Sequence, residues 1–165
     1  MMTRRNWMGM LSALGFAPAV GTLSAKANES PLPESKRITR SDAEWKKQLT
    51  PAQYHVLREE GTERPFSSPL NNEKRPGRFV CAACQHPLFT TEMKFDSGTG
   101  WPSYFTTLPE AFGTTTDYKL LFPRTEYHCA RCGGHHGHIF SDGPAPTGKR
   151  YCNNGVALAF VPAVA

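Results

Sequence analysis

The sequence predicts an antiparallel β fold with two short helices at its N-terminal end and a bound metal in place of a large core. Three observations carry that prediction. Short β-type runs recur between glycines and prolines, with no helical pattern between them of the length a parallel crossover needs. Two helix-start signatures stand side by side ahead of the first run. Two Cys-x-x-Cys pairs, Cys81/Cys84 and Cys129/Cys132, each closely follow a β-type run. Only 39% of the 165 residues are hydrophobic, and the chain has 14 Gly and 14 Pro, so loops are abundant and the apolar core is modest. A structural metal supplies what such a core lacks.

The chain opens with what reads as an export signal over residues 1–27. A charged start containing Arg4 and Arg5 is followed by an apolar run over 7–23, and Ala25-Lys26-Ala27 is an A-x-A cleavage site. The run is too short and too broken by glycines and Pro18 to span a bilayer. The Arg-Arg pair points to the twin-arginine route and hence to the periplasm, with an ordinary secretory signal as the alternative. Cleavage would leave Asn28 first. The formal charge of +5 falls to +2 once Arg4, Arg5 and Lys26 are gone. So slight a charge argues for neither a nucleic-acid partner nor stable membrane association after removal of the signal.

Residues 28–37, rich in Pro, Ser and charge, read as a linker. Ser41-Asp42-Ala43-Glu44 is a capping box that starts a helix over 42–49. Thr50-Pro51-Ala52-Gln53 starts a second, with Thr50 as N-cap, Pro51 in the first turn and Gly61 as the stop. Both are expected to be packing elements. Prolines at 65, 69 and 76 forbid long regular structure over 62–78. Strands are then expected at 78–80, 87–89, 118–122, 124–129, 138–140 and 156–161.

Each Cys-x-x-Cys can turn two thiolates toward one point, and two such turns give the four-sulfur set that Zn2+ accepts. Gln85 and Gly133 follow the pairs as tight turns require. The gap between Cys84 and Cys129 exceeds the usual ribbon spacing, so a subdomain is inserted between the knuckles. With no open ligand position implied, the metal is structural. Disulfides are the rival in an exported protein. A thioredoxin-type redox pair needs a βαβ context that is missing.

Four metal ligands leave Cys152 over. A lone cysteine is more often a buried structural thiol than a nucleophile. Its setting, Lys149-Arg150-Tyr151-Cys152-Asn153-Asn154, is however polar and cationic, and a cation favours the reactive thiolate. In an extended strand Arg150, Cys152 and Asn154 share a face. Strict alternation would pair His136 with His138 and oppose His135, but Gly134 and Gly137 allow a bulge that changes this. The pattern alone does not choose. Trp101, within Gly-Thr-Gly-Trp-Pro-Ser, is either core packing or a rigid pocket wall on a loop.

Several stretches resemble one family. They are K-F-D-S-G-T-G-W-P-S (94–103), both Cys-x-x-Cys pairs, G-H-x-G-H-I-F (134–140), D-G-P-A-P-T-G-K-R-Y-C-x-N (142–154) and E-W-K-K-Q-L-T (44–50). In that order they are similar to the peptide methionine-(R)-sulfoxide reductases of the B type (MsrB), over 38–162. The resemblance implies an all-β core of two antiparallel sheets, the β-tent or Mss4-like fold. It implies one structural Zn2+ on Cys81, Cys84, Cys129 and Cys132, and Cys152 as the nucleophile toward methionine-R-sulfoxide in oxidised proteins and peptides. His135 and His138 would form the proton-donating cluster, Asn154 an orienting hydrogen-bond partner, and Trp101 the wall against the substrate methyl group. The product on Cys152 would be a sulfenic acid.

Two departures stand out. Thr99 occupies the position where many family members carry a second, resolving cysteine. An external thiol must then reduce Cys152, and a thioredoxin-like protein is the expected donor. His136 replaces an apolar residue common in the family. Two other readings remain: a zinc-ribbon-like interaction module, and a different Cys152-dependent thiol oxidoreductase.

Overall fold

The computed structural model describes residues 31–164. The expected signal at 1–27 and the first part of the expected linker lie outside the described residues. Within 31–37 a 3-10 turn spans Glu34–Lys36, Leu32 is buried, and Arg37 Nε donates to the Leu32 carbonyl at 3.0 Å.

Helix α1 spans Asp42–Gln48 and α2 spans Pro51–Glu59. Both start as their capping signatures require. The Glu44 carboxylate accepts from Ser41 N and Oγ at 2.8 and 2.7 Å. Thr50 Oγ1 accepts from Gln53 N at 3.2 Å, and Gln53 Oε1 accepts from Thr50 N at 3.1 Å. The stop comes one residue earlier than the glycine suggests: Glu60 takes the left-handed conformation (φ 57°), and Gly61 N closes onto the His55 carbonyl. A Cβ on Gly61 would lie 2.3 Å from the His55 ring, so a larger residue there would need that exposed side chain to move. The apolar faces behave as packing elements. Trp45, Leu49, Val56 and Leu57 join the core. No helix among the described residues is long and apolar enough to cross a membrane.

Nine strands follow: β1 (Gly77–Cys81), β2 (Pro87–Thr90), β3 (Lys94–Phe95), β4 (Ser103–Tyr104), β5 (Phe112–Asp117), β6 (Arg124–Cys129), β7 (His135–Phe140), β8 (Arg150–Asn153) and β9 (Leu158–Pro162). They form two sheets, a three-stranded one in the order β2-β1-β9 and a six-stranded one in the order β3-β4-β8-β7-β6-β5. All pairings are antiparallel. The core lies between the sheets and is largely aromatic. Phe89 stacks on Tyr104 with centroids 3.8 Å apart, and Phe79, Phe112, Tyr127 and Tyr151 pack edge-on around them.

One expected strand is absent. Residues 118–122, a short β-type run rich in apolar residues, were expected to form a strand, but they form the bent tip of the β5–β6 hairpin. The strand in that place is the preceding Phe-Gly-Thr-Thr-Thr-Asp, β5. Its β-branched threonines suit a pleated surface without marking an apolar period. Residues 156–157 turn in a 3-10 segment before β9 begins.

Candidate active site and metal centre

The two Cys-x-x-Cys pairs adopt the same turn. Gln85 N donates to Cys81 O and Gly133 N to Cys129 O, both at 2.8 Å. Gln85 and Gly133 both have positive φ, 61° and 69°. The knuckles face each other, so the Sγ atoms of Cys81, Cys84, Cys129 and Cys132 all lie within 4.8 Å of one another. Cys81–Cys132 is 3.7 Å and Cys84–Cys129 is 3.6 Å. Such separations exclude disulfides, which need about 2.05 Å. They match the edge of a sulfur tetrahedron around an ion with metal–sulfur bonds of about 2.3 Å. The four cysteines can therefore hold a metal ion, and the residues present fit one. The N-terminal segment braces this centre. Ile38 N donates to Arg131 O (2.7 Å), Arg58 Nη1 to Cys132 O (2.9 Å) and Gln48 Nε2 to Ala83 O.

Cys152 is elsewhere, in the middle of the six-stranded sheet. It pairs in register with His138 on β7 and Ser103 on β4. His138 in turn pairs with Glu126, and Glu126 with Thr115. Directly opposed residues in adjacent antiparallel strands share a face, so Thr115, Glu126, His138, Cys152 and Ser103 line one face of the sheet. Arg124 and Asp117, two residues along from Glu126 and Thr115, join them.

His135 reaches the same face through a bulge. The register jumps from His128↔His135 to Tyr127↔Gly137, leaving His136 as the extra residue. That irregularity decides what alternation could not. His135 and His138 come together, with ring centroids 5.6 Å apart. His136 turns to the core face, fully buried, beside Phe112 and Tyr127. Gly137 makes the bulge possible: a Cβ on it would sit 1.9 Å from the Cys152 carbonyl oxygen.

His138 on the cleft wall and the buried His135 beside it are each backed by a carboxylate. His135 Nδ1 bonds Glu126 Oε1 at 2.7 Å and His138 Nε2 bonds Asp117 Oδ2 at 2.8 Å. Asp117 also accepts from Arg124 Nη2 at 2.6 Å and from Lys119 N at 2.8 Å. These bonds, the backbone one foremost, hold the Asp117 carboxyl well below the usual range, and the His135 bond does the same for Glu126. Burial pushes His138 below the usual imidazole value, outweighing the Asp117 carboxylate beside it.

The thiol is not the strongly acidic one that a cationic setting suggests. Burial pushes Cys152 above the usual thiol value, although Arg150 and a hydrogen bond from Thr99 pull the other way. Arg150 is already engaged. Its guanidinium makes two bonds to Asp142, at 2.8 and 2.9 Å, and lies 4.3 Å over the Phe140 ring. Thr99, beside the thiol, is held through Ser97 Oγ at 2.8 Å, which also bonds Ser103 Oγ at 2.8 Å.

A cleft of about 140 Å3 opens over Cys152, lined by Trp101, His138, Arg124, Phe140, Thr62 and Asn154 among others. Trp101 is thus on the cleft wall, the second of its two sequence readings. Asn154 lies just past the end of β8, and its amide is spent within the protein: Oδ1 accepts from Glu63 N (2.9 Å) and Nδ2 donates to His136 O (3.0 Å). It fixes the cleft wall rather than offering a free amide. The residue it meets, Glu63, escaped the sequence reading. Glu63 O accepts from Trp101 Nε1 at 3.1 Å, and its carboxylate takes Gly155 N and Val156 N at 2.6 and 2.9 Å. One residue therefore ties the Trp101 wall to the segment after Cys152. Asp117, Glu126 and Arg124 were also missed, since only the strand register brings them opposite the histidines.

A family model described as the SelR domain matches residues 49–162. The chain belongs to the SelR-domain (MsrB) family. It is 54% identical over 129 residues to a peptide methionine sulfoxide reductase MsrB of Agrobacterium fabrum, covering 78% of this chain and 96% of that one. It is 52% identical over 126 residues to the enzyme of that name from Methanosarcina barkeri, covering 76% and 89%. It is 48% identical over 128 residues to a mouse mitochondrial methionine-R-sulfoxide reductase B3, covering 77% of this chain and 51% of that one. The resemblance drawn from motifs and the family match agree, and the two-sheet architecture is the one that resemblance implied.

Proposed function

We propose that this protein reduces the R epimer of methionine sulfoxide in peptides and proteins, with Cys152 as nucleophile. The observation that carries this reading is the register pairing of Cys152 with His138 inside one cleft walled by Trp101. The similarity to proteins named MsrB supports it.

Cys152 Sγ attacks the sulfoxide sulfur. The oxygen leaves the substrate and ends on Cys152, so thiol and sulfoxide give a sulfenic acid and a thioether, with two electrons passing to the methionine sulfur. The half-buried thiol brings its own proton, and the His135/His138 pair, fixed by Glu126 and Asp117, passes it to the departing oxygen. Trp101 offers an apolar face to the S-methyl group. With Thr99 beside the thiol there is no internal resolving cysteine. Two external thiols complete the cycle: the first releases water and forms a mixed disulfide, and the second frees Cys152. A thioredoxin-like protein supplies them in the cell.

The four-cysteine centre holds zinc as a structural ion, consistent with an all-sulfur set. The export signal, the periplasmic destination and the separation of residues 1–27, 28–37 and 38–162 remain part of this proposal.

The test pairs each epimer of blocked methionine sulfoxide with dithiothreitol. Turnover of the R epimer alone, lost in Cys152→Ser, is expected, together with one zinc per chain by elemental analysis. Equal turnover of both epimers, or activity that survives Cys152→Ser, would refute the assignment.

A further inference from the structure

The tip of the β5–β6 hairpin takes no part in the chemistry above. Tyr118, Leu120, Leu121 and Phe122 are 75%, 59%, 92% and 75% exposed. They make up four of the seven large hydrophobic residues exposed among the described residues, and they are adjacent in the chain. A contiguous exposed apolar patch marks an interaction surface, where scattered residues would not.

The tip is anchored to the cleft by its own stem. Asp117, at its entry, accepts from Lys119 N and holds His138; Arg124, near its exit, bonds Asp117 and lines the cleft. Lys119 Nζ pairs with Glu60 at the end of α2. Apolar exposure borders the Trp101 wall as well. Phe66, 74% exposed, lies against Gly100, where a Cβ would meet its ring at 2.9 Å.

We propose that the 118–122 tip docks the polypeptide carrying the oxidised methionine, by receiving apolar residues that flank it. This rests on the reading of the cleft given above. The cleft, about 140 Å3, has room for one side chain, so neighbouring residues of the substrate must lie along the rim. Methionine is a core residue, and its sulfoxide disrupts the packing around it. The segment that presents it therefore carries apolar neighbours that have lost their cover. The occupant is an unfolded, apolar stretch of polypeptide, and the tip that the Asp117–Arg124 pair ties to the cleft exposes four large apolar side chains.

The test uses two nonapeptides with a central methionine-R-sulfoxide, one flanked by Leu and Phe and one by Ser, alongside blocked methionine sulfoxide. Dithiothreitol as reductant removes any contribution from docking of a protein donor. The unmodified protein should prefer the apolar peptide by about tenfold in kcat/KM, the scale set by burying one or two apolar side chains at a partly wet rim. The triple variant Leu120→Ser, Leu121→Ser, Phe122→Ser should lose that preference through KM while turning over the blocked substrate as before. If the variant keeps the preference, the inference fails. It also fails if the preference is kept and only sedimentation with phosphatidylglycerol vesicles is lost, since the tip then meets membranes instead. If the unmodified protein leaves the blocked R epimer untouched, the reading of the cleft itself is what has failed.

Discussion

The two faces of the six-stranded sheet carry similar residues in opposite circumstances. On one, Cys152, His135 and His138 open onto or lie beside a cleft, and both histidines have carboxylate partners. On the other, Cys129 is fully buried and joins the metal-binding quartet, while neither ring nitrogen of His136 finds a hydrogen-bond acceptor or donor of normal geometry. Burial drives the His136 pKa down to about 3, outweighing the nearby Cys84 and the Asn153 amide, which favour the proton. The same side-chain types thus stand at the proposed reaction site on one side and in the packed interior on the other. What separates them is a set of neighbours fixed by strand register.

That contrast can be broken from either side. The largest effects should come from the two cysteines. Cys152→Ser should cut turnover by about 10^3-fold or more while leaving the unfolding midpoint in place. Cys129→Ser should do the reverse of a clean active-site change: the ion is lost, and with it stability on the order of 10 kcal/mol for a zinc–thiolate centre. Elemental analysis and denaturant titration read both results.

The histidines come next. His138→Ala should lower kcat/KM by about 10^2-fold, and Asp117→Asn, which leaves the ring in place but loosens it, by about tenfold. Steady-state kinetics with blocked methionine-R-sulfoxide measures this.

Thr99→Cys sharpens the comparison by moving a second thiol onto the reactive face. Oxidation by substrate without reductant should then consume two thiols per chain rather than one, with the mass of an internal disulfide.

The smallest change in activity belongs to His136→Leu, within about twofold of the parent. Its signature is in stability, which should rise by about 1 kcal/mol as two unsatisfied polar atoms disappear. The folded pKa of about 3 lies below the unfolded value near 6.5. The unfolded chain therefore binds more protons between these limits, and the parent loses about 1.4 kcal/mol per pH unit as pH falls through that window. The variant should lack this component. Urea midpoints at pH 5 and pH 7.5 test the sign.

Much of this molecule could be read from the chain. The four-cysteine cluster follows from spacing, because a Cys-x-x-Cys turn needs little beyond itself; Gln85 and Gly133 even take the positive φ that the turn demands. Both helix starts follow from side chains three residues apart. The active-site support does not, because it is made of long-range pairings. Asp117 and Glu126 matter only because their strands lie where His138 and His135 can reach them, and a run of threonines does not announce a strand. Residues 118–122 misled for a related reason. A short run of large apolar residues predicts a buried strand, and here it belongs to an exposed tip. The setting of Cys152 was only half legible, since sequence shows that Arg150 is near but not that Asp142 and burial offset it. Glu63 gave no local signal, and its four bonds all span dozens of residues.

The extra residue in β7 changes the arithmetic of the strand. A regular ribbon sends positions three apart to opposite sides; this one sends His135 and His138 to the same side and spends the surplus residue as a plug behind them. Shortening the strand by removing His136 would keep the pair together and leave a hole at their back, whereas the same three-residue spacing without the bulge would part them. The protein's chemistry is thus tied to a count of residues, and a gap of one in this segment should be felt more keenly than most changes of side chain.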